Sequence, residues 1–113
     1  MTKVTVNSGN CGFTVFITAE KEKGRNINIS LVTGCDMIRN MLEDISLLDM
    51  RGLFSNHTSN PVYRAAAKHL KHAACPVPCA ILKAAEVELG LCLPQDVTIQ
   101  FTGKNSDGEA GED

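Results

Sequence analysis

The hydrophobic period of this chain changes at one place, and that change limits the folds open to it. Before Gly34 the apolar residues recur every second position. Val4 and Val6 share a face, then Val15, Ile17 and Ala19, then Ile27, Ile29 and Leu31. After Cys35 they recur at helical spacing, as Ile38, Met41, Leu42, Ile45 and Leu48. Period two places alternate residues on one face of a strand, and the three-to-four spacing places them on one face of a helix. Gly-containing polar stretches, "SGNCG" and "EKEKGRN", separate the first three runs. The pattern predicts a three-stranded antiparallel meander followed by helices, hence an α+β fold.

Helix boundaries follow from caps and prolines. The first helix is predicted from about Met37 to Leu48, with Asp36 as its N-cap. "SNPVYRAAAKHL" opens the second, with Asn60 as N-cap and Pro61 at the first helical position. Pro76 and Pro78 push Cys75 and Val77 away from helical backbone, so this helix should stop near His72. A third helix should begin near Pro76 or Pro78, carry Ile81, Leu82, Ala85 and Leu89 on its apolar face, and end at Gly90. "DVTIQF" alternates Val97, Ile99 and Phe101 and is predicted as a last strand, with the helices packed on one face of the sheet. Residues 1–102 then form one α+β domain. The stretch 103–113, with one Lys and four acids, is predicted as a disordered acidic tail.

Composition removes several functions. Formal net charge is −2, and residues 1–102 taken alone are close to neutral, at about +1 by the same charge count. No strong positive field is present to gather nucleic acid or an anionic membrane. Five aromatic side chains are too few for base-stacking platforms. No apolar run is long enough to span a bilayer, and "MTKVTVNSGN" lacks the apolar stretch of a secretion signal, which predicts a cytoplasmic protein.

The cysteines carry the chemistry. There are five, an odd number, which excludes complete internal pairing and favours metal or thiol chemistry in a reducing compartment. Cys11 falls in the first strand–strand loop, Cys35 at the start of the first helix and Cys75 at the start of the third. Helix N-termini present free amides and the positive end of the dipole, which lower a thiol pKa. The three stand 24 and 40 residues apart, without a Cys-x-x-Cys pair. A zinc site or an iron–sulfur cluster would take Cys11, Cys35 and Cys75, with His72 as fourth ligand or Cys79 in its place. Cys92 in "LCLP" reads as a packing residue, as does Cys79 on the weaker argument that it lies beside Ala80 and Ile81. His69 and His57 read as solvated.

The order of these elements, with "CGF", "TGCD" and "HAACPVP" holding the three cysteines, resembles the IscU/NifU-type iron–sulfur cluster scaffold proteins. That likeness implies an IscU-like layout in which Cys11, Cys35 and Cys75 bind zinc or a nascent cluster. The scaffold family carries an Asp two residues after its first Cys and a His immediately before its third. Phe13 and Ala74 stand at those places here. A fuller likeness is to a group of short, uncharacterised proteins of anaerobic archaea and bacteria, which share "CGF", "ACPVP" and a closing "LP.DV.I". It implies a compact intracellular protein and no particular activity. Two other functions fit the residues. One is a redox or nucleophilic thiol at Cys75 with His72 as base. The other is a non-catalytic interaction module whose sheet edge pairs with a protein partner or a second copy. No acid–base pair or phosphate loop points to an enzyme.

Overall fold

The computed structural model describes residues 1–103, and they build an α+β fold on a four-stranded antiparallel sheet. The strands are β1 (Thr2–Asn7), β2 (Thr14–Lys21), β3 (Asn26–Thr33) and β4 (Leu47–Asp49), side by side in chain order. The helices are α1 (Asp36–Ile45), α2 (Met50–Leu53), α3 (Pro61–His69) and α4 (Val77–Glu88). The alternation read from the sequence sets which face is dry. Val15, Ile17, Ala19, Ile27 and Ile29 are buried beneath the helices, while Phe16 and Val32, paired across β2 and β3, are exposed on the opposite face. Burying each such branched side chain contributes roughly 1.5–3 kcal/mol.

The helices complete the core from one side. Ile38, Met41 and Ile45 of α1, Val62 and Ala65 of α3, and Val77, Ile81, Ala84 and Ala85 of α4 meet the sheet residues in one cluster. α4 lies along β1 and β2, and α1 lies along β3 and against α3. A Schellman turn ends α4. Gly90 adopts φ 77°, its N–H donates to the Val87 carbonyl, and the Leu91 N–H donates to that of Glu86.

Five predicted features are corrected. The sheet has four strands rather than three, because α1 stops at Ile45 and Leu47–Asp49 turns back to pair with β3. Leu48 is buried either as the last residue of a helical stripe or as a strand residue opposite Ile27, so its spacing does not discriminate. The expected final strand does not form. Residues 94–103 join no ladder, and Val97, Ile99 and Phe101 are all exposed. There are four helices rather than three, since Asp49 caps the short α2 by accepting the Gly52 N–H at 2.7 Å. Cys35 rather than Asp36 is the N-cap of α1, and Asp36 is its first helical residue. α3 ends at His69, a few residues before the predicted stop, where Leu70 turns to extended backbone. The expected acidic tail, 103–113, lies outside the described residues except for Gly103. Among the described residues no helix is long and apolar enough to cross a membrane.

Candidate functional site

The sheet has two ends, and α4 shows which cysteines share one. At the helix's C-terminal end the Glu88 carboxylate accepts the Thr2 hydroxyl at 2.7 Å and the Lys21 N–H at 3.0 Å, and stands 3.2 Å from the N-terminal ammonium. Thr2 begins β1 and Lys21 ends β2, so that end of α4 is fixed over one edge of the ladder. Twelve helical residues rise about 18 Å. That is close to the length of a six-residue strand. The N-terminal end of α4, with Cys75 just before it, therefore stands over the other end of the sheet. There Asn7 pairs with Thr14 and Val15 pairs with Thr33. The β1–β2 loop holding Cys11 and the β3–α1 junction holding Cys35 leave the sheet at this same end.

Local structure sets each thiol differently. Cys11 ends a short 3-10 turn between two glycines of positive φ, Gly9 at 81° and Gly12 at 77°, and is exposed. Those backbone conformations favour glycine at both positions. Cys35 is 8% exposed; its N–H donates to the Thr33 hydroxyl at 3.2 Å and its carbonyl accepts the first helical bond, from Arg39. Phe13 joins the two loops. Its ring approaches to 3.3 Å of where a Cβ would stand on Gly34, so the glycine before Cys35 leaves room for the residue two after Cys11.

Cys75 is half-buried, just before the first turn of α4, where the Val77 N–H acts to lower its thiol pKa. Burial nonetheless pushes its thiol pKa above the ordinary value, more than the amide lowers it. The charges of Cys11 and Cys35 add less to the rise. The low thiol pKa expected from a helix start is thus corrected for Cys75: the apolar core beneath the helix outweighs the amide.

The remaining candidates lie elsewhere. Burial, and then the charge of Cys79, raise the Tyr63 hydroxyl pKa; both residues line a cleft between α3 and α4 with His57 and Asn60. His72 is exposed and lines a neighbouring cleft with Tyr63, Leu70 and Pro78. Cys92 is exposed, not packed, with its thiol 3.8 Å from a Glu86 carboxylate oxygen. His69 ties α3 to α1 through Asp44 at 2.9 Å. Among the described residues, no three His, Cys, Asp or Glu side chains are drawn close enough to form a ready metal cage. Sequence reasoning missed the Phe13–Gly34 contact and the Thr33 hydroxyl. The glycine directly before Cys35 was the available signal for the first.

The family model that matches spans residues 2–101, from the first residue of β1 to Phe101. The chain belongs to DUF6951, a family of unknown function. No curated protein and no solved structure matches it. The DUF6951 match includes all four strands, all four helices and the three cysteines at one end of the sheet.

Proposed function

We propose that the protein binds a metal, as zinc or as an iron–sulfur cluster, through the thiolates of Cys11, Cys35 and Cys75, and serves in metal handling or cluster assembly in the cytoplasm. The supporting observation is placement. Three cysteines from distant parts of the chain lie on segments that leave or meet one end of the sheet. Three thiolates gathered without a cation repel one another, and soft thiolate sets favour zinc and iron–sulfur clusters. Cys35 and Cys75 are held by α1 and α4, so the exposed Cys11 turn is the part that swings inward to complete the set. His72, three residues before Cys75, is the candidate fourth ligand; Cys79, turned toward Tyr63, is the weaker one. The IscU/NifU-like order of elements supports the same reading.

Titration of the reduced protein with Co2+ under nitrogen tests the proposal. A thiolate-to-cobalt charge-transfer band should appear in the near ultraviolet. Serine at position 11, 35 or 75 should weaken binding at least tenfold, and Cys92→Ser should leave it unchanged. Absence of the band, or its survival in the triple serine variant, would overturn the proposal.

A further inference from the structure

A segment with the chemistry of a strand has no strand beside it. Val97, Ile99 and Phe101 alternate with Thr98 and Gln100, and the three apolar side chains are 59%, 82% and 93% exposed. Every residue from Gly90 to Gly103 is exposed. The described chain measures 55 × 30 × 25 Å with a radius of gyration of 15.4 Å. A compact domain of about 100 residues has about 13 Å. The segment reaches away from the body rather than folding onto it. It is nonetheless inside the family match, which runs to Phe101.

The sheet has a matching vacancy. Among the described residues, β1 pairs with β2 on one side and with nothing on the other. Its Val4 and Val6 are half-buried on the core side, and Lys3, Thr5 and Asn7 face out. Among the described residues no proline or bulge blunts this edge, and Lys3 is its one charged side chain. A strand added there would continue the alternation on both faces. Val97, Ile99 and Phe101 would extend the row of Val4 and Val6, and Thr98 and Gln100 would join Lys3 and Thr5. The segment leaves α4 beside Thr2, at the start of that edge, and among the described residues pairs with no strand of its own chain.

We propose that residues 96–101 of each chain pair with β1 of a second copy, in a reciprocal exchange that extends each sheet to five strands and closes a two-fold dimer. Of the two sheet edges, β1 has six residues and β4 three, so β1 of each copy takes the other's free segment and the exchange ends at two. This inference is independent of metal binding, because the edge of β1 and the segment carry none of the three clustered cysteines.

Size-exclusion chromatography with light scattering of the full chain, in reducing buffer, tests it. The expected mass is twice the 12.2 kDa of the chain. Ile99→Pro, which removes a ladder donor, and Phe101→Asp, which charges the apolar row, should each give the monomer mass with the helical circular dichroism signal retained. Hydrogen exchange should show protected amides at 97–101 in the wild type and their loss in Ile99→Pro. A monomeric wild type at tens of micromolar would overturn the proposal. A dimer that persists in both variants would do so too. So would protection at 97–101 in a chain of monomer mass, which would mean that the segment pairs with its own β1.

Discussion

Asn60 shows how much one polar side chain can organise. It is 2% exposed, and its amide donates toward the carbonyls of Gly52, Leu53 and Ser55 at 3.1–3.4 Å. Its Oδ1 accepts the Val62 N–H at 3.0 Å and caps α3. Truncation would strip partners from buried backbone groups and remove the cap together. Asn60→Ala should therefore lower stability by about 2–3 kcal/mol, read as a shift of the urea midpoint at constant slope. The cap was legible from "SNP" because Asn before Pro has few other roles. The three carbonyl partners were not, because the 52–55 turn that supplies them depends on α2, which has only four residues and a weak sequence signal. Cys35 and Asp36 make the opposite case. The residue type argued for Asp as cap, but Gly34 and Thr33 set the chain so that Cys35 takes that position.

At the scale of elements, α4 aligns the site because Glu88 holds its far end. The Lys21 N–H, followed by the Thr2 hydroxyl and then the N-terminal ammonium, favours the carboxylate over the acid and holds the Glu88 pKa below its ordinary value. A depressed carboxyl pKa adds stability that is present above the unfolded value and lost as pH falls through the folded one. Glu88→Gln should lower stability at neutral pH by about 1 kcal/mol. The difference from wild type should vanish under acid, in urea melts run from neutral pH to below the carboxylate range. A constant difference at all pH values would show a packing effect instead. The strands β1–β3 were legible from alternation, and α3 and α4 from proline, caps and apolar stripes. β4 was hidden because Leu48 satisfies both periods. The 97–101 alternation predicted a strand that does not form, because a strand also needs a neighbour, and a neighbour is not a local property.

At the scale of the whole molecule, the placement of Cys11, Cys35 and Cys75 at one end of the sheet is a consequence of topology. The sequence placed each at a loop or helix start and left their separation open. Direction decides it: β2 and β3 pair with Val15 opposite Thr33, and α4 runs with Cys75 toward that end. Neither fact can be read from spacing, since both depend on register and on the Glu88 anchor far along the chain. Elemental analysis of protein purified without oxygen from metal-replete cells tests the central claim most directly. The account predicts bound zinc, or iron with matching sulfide, in the wild type. It predicts loss of that metal in Cys11→Ser, Cys35→Ser and Cys75→Ser, and retention in Cys92→Ser. Metal-free wild-type protein, or metal retained in all three serine variants, would contradict it.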